Sequence, residues 1–173
     1  MNLAYTMAPG RGDTDLLLAG LAADLDARGL RCCGTVQINT ARTDARACDM
    51  DVRVLPDGPV LRISQDRGPQ ARGCRLDPDA LETSVGLAKR QLTLGADLLI
   101  VNKFGKHEAE GRGFRDAIAE ALTRGVPVLV GLNELNRAAF DTFAAGHAVC
   151  LSPVQAVLTE WVVSVCGLPA GQM

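Results

Sequence analysis

Residues 98–101, Leu-Leu-Ile-Val, are continuously apolar, and the chain turns polar at once after them, with Asn-Lys-Phe-Gly-Lys-His-Glu at 102–108. A strand buried on both faces reads this way, because helices cover both sides of a parallel sheet. The polar exit constrains the chain as much as the apolar run. In open α/β sheets ligands sit at the carboxyl ends of the strands, so this segment predicts both a sheet and the edge of it where a site belongs.

The rest of the chain supplies the partners of that strand. Residues 3–7 read as a first strand, 8–13 as a glycine-bearing turn, and 14–28 as a helix capped by Asp13 or Thr14 and ended by Gly29. A second strand over 31–38 has Gln37 at its polar exit, and 39–48 has no periodicity and reads as a loop. Two short apolar runs, 51–55 and 60–64, flank Pro-Asp-Gly-Pro and predict an antiparallel hairpin. Residues 65–75 form a polar connection carrying Arg67, Arg72 and Arg75, either an exposed loop or a lid folded over an anion. Asp77 caps a helix with Pro78 in its first turn, reaching Leu94.

After the 97–101 strand, a helix over 109–124 carries Phe114, Ile118 and Leu122 on one stripe. A strand at 126–132, a short helix at 134–144 capped by Asn133, and a strand at 147–151 follow. The last helix is capped by Ser152, started by Pro153 and runs to Cys166. The expectation is one domain over 1–173, an α/β fold of three layers. It has a mainly parallel sheet with helices on both faces and a β-hairpin insertion.

Composition removes several function classes. The net charge of −2 provides no electrostatic footprint for nucleic acid, and 3% aromatic residues leave few platforms for stacking bases. No apolar run approaches the roughly 20 residues of a membrane span, and the N-terminus lacks a signal peptide's charged and apolar regions. A cytoplasmic protein without membrane insertion is expected. The six cysteines, Cys32, Cys33, Cys48, Cys74, Cys150 and Cys166, contain no C-x-x-C pair and read as thiols, buried in the main, with no metal assigned.

Two segments carry candidate chemistry. Gly10-Arg11-Gly12-Asp13-Thr14-Asp15 sits between the first strand and first helix, where a phosphate-binding loop G-x-x-x-x-G-K-[ST] belongs. The glycines are there and the lysine is not. Asp13 and Asp15 occupy the helix start, where they satisfy the helix dipole and repel a phosphate. Two like unit charges about 4 Å apart repel by about 4 kcal/mol at an effective dielectric near 20.

The second segment is Asn102-Lys103-Phe104-Gly105-Lys106-His107-Glu108. It resembles D-E-I-G-x-M-E, the Walker B region of the small P-loop nucleoside triphosphatases of thermostable type. The order around it is similar too: a glycine loop after strand one, Gly34-Thr35-Val36 in strand two, a hairpin, Asp77 and Leu81 opening a helix, Phe114 to Ile118, and Pro127 to Leu129. N-K-F-G-K-x-E-x-E-G-R-G at 102–113 and R-I-S-Q-D-x-G-x-x-A-R-G-C-R-L-D at 62–77 look typical of a divergent bacterial family related to these enzymes. Members of that family are often encoded beside molybdate ABC transporter components. The resemblance spans nearly the whole chain.

What the resemblance implies is altered by the residues that stand here. The Walker B aspartate, which holds magnesium through water, is Asn102, and the glutamate that orients water is Lys103. A neutral amide is a weaker magnesium partner than a carboxylate, and a lysine is no base at neutral pH unless desolvated. The charges have exchanged places across one cleft. Either Lys103 pairs with Asp13 or Asp15 and closes the old site, or Lys103, Lys106 and Arg112 form a relocated anion site aided by Arg11, Arg72 and its neighbours. In an open site Gly10 and Gly12 would supply backbone donors beside Thr14, and Asn102 and Glu108 would position water or metal. Gln37 and Asn133 would complete the pocket. His107 and Glu108 are otherwise expected as exposed residues at a helix start.

The function expected is a degenerate P-loop NTPase-like protein binding a nucleotide, with Mg2+ if it is retained, or a small oxyanion such as molybdate. It would serve molybdenum handling in association with molybdate transport or molybdenum enzymes. Catalytic residues are not assigned. The alternatives are an NTPase using unconventional residues, and an interaction protein whose site is closed.

Overall fold

The computed structural model describes residues 2–40, 49–65 and 76–167. One sheet of seven strands organises them: β1 (Leu3–Thr6), β2 (Cys32–Thr40), β3 (Asp49–Leu55), β4 (Val60–Arg62), β5 (Leu98–Val101), β6 (Val128–Gly131) and β7 (Ala148–Leu151). Their order across the sheet is β4-β3-β2-β5-β6-β1-β7. From β2 to β7 all neighbours are parallel, and β3 and β4 extend the β2 edge as an antiparallel hairpin. Every residue of β1, β5 and β6 is buried, as continuous apolar runs in the middle of a covered sheet should be.

Among the described residues six α-helices complete the layers: α1 (Asp13–Ala27), α2 (Pro78–Thr93), α3 (Lys106–Ala109), α4 (Arg115–Thr123), α5 (Arg137–Ala144) and α6 (Gln155–Val165). The two-residue period of the strands sorts the core into two layers. Leu99, Val101, Val128 and Val130 pack with α2, α4 and α5, while Leu98, Ile100 and Leu129 pack with α1 and α6. Among the described residues no helix is long and apolar enough to cross a membrane.

Several boundaries differ from the expectation, each for a local reason. The N-cap of α1 is Gly12, in the left-handed region at φ 86°, so neither Asp13 nor Thr14 caps it. The helix expected over 109–124 begins only at Arg115, because Gly111 and Gly113 take positive φ before it, and a separate single turn, α3, precedes them. The last helix begins at Gln155, because Val154 is extended and its N–H bonds Ser152 O. β2 runs on to Thr40, paired with Asp49. Only 60–62 of the second hairpin run are strand, with Ser64 bridging Leu76. By contrast, Asp77 caps α2 as expected, accepting from Asp79 N and Ala80 N at 3.1 and 3.2 Å, and these backbone bonds hold its carboxyl below its usual range. Burial pushes the Cys32 and Cys33 thiols up to about 12, so both are protonated at neutral pH. Cys150 is exposed and Cys166 half-buried; Cys48 and Cys74 lie outside the described residues.

Connections leaving β1 and β6 set the location of a site. The chain leaves β1 into α1 on one face of the sheet and leaves the adjacent β6 into α5 on the other. Neighbouring strands whose exits part in this way open a crevice at their carboxyl ends.

Candidate functional site

A cleft of about 540 Å³ occupies that crevice. This lies within the roughly 300–1,000 Å³ of small-molecule sites. Its walls come from the β1–α1 loop (Ala8, Gly10, Arg11, Gly12), from Asn102 and Lys103 after β5, and from Gly131, Asn133 and Glu134 after β6. Close backbone approach brings the walls together. Phe104 N bonds Gly131 O at 2.9 Å and Leu132 N bonds Thr6 O at 3.0 Å. A Cβ at Gly131 would overlap the Asn102 carbonyl oxygen, so only glycine permits this approach.

The β1–α1 loop is closed on itself. Ala8 N donates to the Thr14 hydroxyl at 3.0 Å and Asp13 N to Gly10 O at 3.3 Å. The Asp13 carboxylate folds back over Gly10, where a Cβ would overlap it. A negative group thus already lies over the loop at the start of α1, where the helix dipole favours one.

Asn102 is the buried polar group of the site, 5% exposed. Its Oδ1 accepts from Gln37 N at 2.9 Å and its Nδ2 donates to Asp15 Oδ1 at 2.8 Å. One partner can only donate and the other, when ionised, only accept, which fixes the orientation of the amide. The side chain therefore ties β5 to β2 and to α1, and Asp15 is engaged. Lys103 and Arg11 are exposed on the cleft, and among the described residues neither forms an ion pair. They come from loops on either side of the β6 exit.

A family model described as "Protein of unknown function (DUF2478)" matches residues 3–161. The chain belongs to this family. This DUF2478 member is 36% identical over 152 residues to the Molybdenum import ATP-binding protein ModC 2 of Bradyrhizobium diazoefficiens. That match covers 86% of the chain but 17% of the relative, so the chain spans a minor part of that protein's length. The fold is shared with the solution structure of a human cancer-related nucleoside triphosphatase. The TM-score is 0.61 at 15% identity, over 96% of both chains. At that identity the likeness is one of fold: the mostly parallel α/β sheet with helices on both faces, as expected for the P-loop NTPase type.

The structure divides the expected site residues of the DUF2478 chain into three groups. Gly10, Arg11, Gly12, Thr14, Asn102, Lys103 and Asn133 line the cleft, with Asp13 over its loop. Gln37 reaches the site through its backbone N–H to Asn102. Asn133 also caps the turn before α5, its Oδ1 accepting from Asn136 N at 3.2 Å. Arg72, like Arg67 and Arg75, lies outside the described residues.

Lys106, Glu108 and Arg112 form the third group and do not line the cleft. Lys106 and Arg112 pair with Glu110 at 3.6 and 2.6 Å, and the Arg112 contact holds the Glu110 carboxyl below its usual range. Arg112 lines a separate hollow of about 420 Å³ beside Glu82 and Asp116. Glu108, expected in solvent, is 3% exposed. Its carboxylate accepts from Gly105 N at 2.9 Å and Phe114 N at 3.1 Å, stapling the loop between β5 and α4. Glu108→Ala leaves one buried and one part-buried N–H group without the carboxylate, and denaturant unfolding is expected to show a loss of about 2–4 kcal/mol. A loss below about 0.5 kcal/mol would put Glu108 outside the framework of the loop.

Of the two alternatives, the Lys103 pair with Asp13 or Asp15 does not form, and the cleft is open. Asp15 bonds Asn102 instead. Glu134 and Gly131 also line the cleft and escaped the sequence reading. A glycine closing the apolar run 128–131 was the available signal for Gly131, since glycine at a strand end marks close approach.

Proposed function

We propose that this chain is a non-hydrolytic binder of a small anion, a nucleotide or an oxyanion such as molybdate, acting in molybdenum handling in the cytoplasm. One observation carries the reading: Arg11 and Lys103, exposed and without ion pairs among the described residues, face a cleft at the switch point of an open α/β sheet. The relative named as a molybdenum import ATP-binding protein supports both the nucleotide and the molybdenum side of it. The non-hydrolytic part rests on residue types. The strand exit that resembles Walker B holds Asn102 and Lys103, and the helix start that resembles Walker A holds Asp13.

The reading is tested by thermal shift against ATP, GTP, inorganic phosphate, molybdate and tungstate, with Lys103→Ala alongside. At least one ligand is expected to raise the melting temperature of the parent and not of the variant, with no phosphate released from ATP. No shift with any ligand would overturn the binding reading. Magnesium-dependent phosphate release abolished by Lys103→Ala would instead make the chain an NTPase.

A gain of affinity is the complementary expectation. Asp13→Lys removes the carboxylate over Gly10 and places a cation at the helix start. Titration calorimetry is expected to give about tenfold tighter phosphate or ATP binding, the solvent-screened remainder of a charge reversal at close range. Unchanged affinity would place the anion away from the β1–α1 loop.

A further inference from the structure

We infer that the ligand of this cleft enters as a metal-free anion, and that magnesium opposes nucleotide binding there. This rests on the anion-site reading above and specifies its ligand. A P-loop enzyme's phosphate ligand arrives with a divalent cation, and the cation needs hard oxygen donors, carboxylates above all. Here the acid nearest the strand exit is spoken for. Asp15 Oδ1 is held by Asn102 Nδ2 at 2.8 Å, and that amide's oxygen is held by Gln37 N. Asn102 thus engages one oxygen of the Asp15 carboxylate, and its own carbonyl oxygen already carries a hydrogen bond, so both donors nearest the strand exit are committed in part to each other and to β2. The Thr14 hydroxyl, the other group a metal would use, is tied back to Ala8 N at 3.0 Å.

Remaining donors point the same way. Glu134, in the 3-10 turn before α5, is 77% exposed and lies 4.0 Å from the Arg137 guanidinium. Among the described residues no three His, Cys, Asp or Glu side chains are grouped so as to hold a metal. Among the described residues the positive charges in the walls without an ion pair are the guanidinium of Arg11 and the ammonium of Lys103, while the Asp13 carboxylate lies back over Gly10. Two cations on either side of one strand exit neutralise an anion directly, which is the work a bound magnesium would otherwise do. A magnesium–nucleotide complex brings its own cation between them, loses that attraction and meets no ligand set for the metal. Compact oxyanions and uncomplexed phosphates are the class that fits.

The experiment is titration calorimetry of the intact chain with ATP and with inorganic phosphate, each in excess magnesium chloride and in EDTA. ATP is expected to bind at least about threefold tighter in EDTA, since the free nucleotide carries more negative charge toward Arg11 and Lys103. Phosphate is expected to bind within about twofold in the two conditions, being weakly complexed by magnesium. Lys103→Ala is expected to weaken both ligands in both conditions. Asp15→Asn, which keeps an oxygen to accept from Asn102 while removing the charge, is expected to tighten both ligands without creating a magnesium requirement. Binding of ATP that needs magnesium, or is tighter with it, overturns the inference and leaves the anion site standing. No binding of ATP or phosphate in either condition overturns this inference and the nucleotide half of the anion-site reading, whose oxyanion half is decided by the thermal shift with molybdate and tungstate.

Discussion

Gly34→Ala is expected to lower the melting temperature by about 10 °C or more, or to prevent folding, while Gly86→Ala leaves it unchanged or slightly raised. Gly34 sits in β2 with φ 107°, paired with Ile100 of β5 on one side and Leu55 of β3 on the other. An alanine there suffers twice. Its backbone conformation is one that L side chains rarely adopt, and its Cβ would overlap the carbonyl oxygen of Ile100. Relief requires β2 and β5 to separate at the join between the parallel sheet and the hairpin, which is also where Gln37 reaches Asn102. A cost above about 3 kcal/mol is a large part of the 5–15 kcal/mol by which domains are stable. Gly86, exposed on α2 with nothing near its missing side chain, gains helix propensity from the same substitution, about 1 kcal/mol at most. Equal melting temperatures for the two variants would mean that the β2–β5 approach is not as tight as described.

What the sequence made legible follows from the range of the interactions involved. The β5 strand, its polar exit and the position of the cleft were readable because a continuous apolar run and its abrupt end are local signals of a buried parallel strand. The Asp77–Pro78 helix start was readable for the same reason, since cap and first turn are adjacent residues. Glu108 was misplaced because nothing in its neighbours says that the Phe114 N–H, six residues on, will need its carboxylate. With that need met, Gly113 and Glu108 pack against each other and the helix begins only at Arg115. Lys106 and Arg112 were drawn to the cleft by proximity to Lys103 in the chain, yet the turn of α3 sets Lys106 beside Glu110 four residues on, and Arg112 pairs with the same carboxylate on the surface. The charge exchange between the two loops was visible, but its geometry was not. An acid and a lysine facing one cleft suggested a salt bridge, whereas Asp15 found an amide contributed 87 residues away. Hydrogen-bond polarity decided it, because Asn102 can serve an acceptor and a donor at once and a lysine cannot.

Asn102→Asp tests that polarity directly, and the expected result is a protein less stable by about 2–4 kcal/mol in denaturant unfolding at neutral pH without divalent cations. The substitution changes almost no volume. It replaces the Nδ2 that donates to Asp15 by an oxygen, so two carboxylate oxygens face each other at about the present 2.8 Å in a site 5% exposed at position 102. Gln37 N keeps its acceptor, so the loss is confined to the Asp15 side. Three manipulations should each restore part of the stability, because each puts a positive or donating group between those oxygens. Adding Asp15→Asn to the variant returns a donor, so the double substitution is expected to be more stable than Asn102→Asp alone by about 2 kcal/mol, a non-additive result for a pair in contact. Lowering the pH returns a proton to one carboxylate. Magnesium supplies a cation, which should stabilise the variant and leave the parent unmoved. The same variant should acquire a magnesium requirement for nucleotide that the parent lacks, since it brings back the acid that the resemblance to Walker B leads one to expect at that strand exit. If Asn102→Asp is as stable as the parent and indifferent to Asp15→Asn, pH and magnesium, the amide is not what holds Asp15, and the metal-free character of the cleft loses its physical basis.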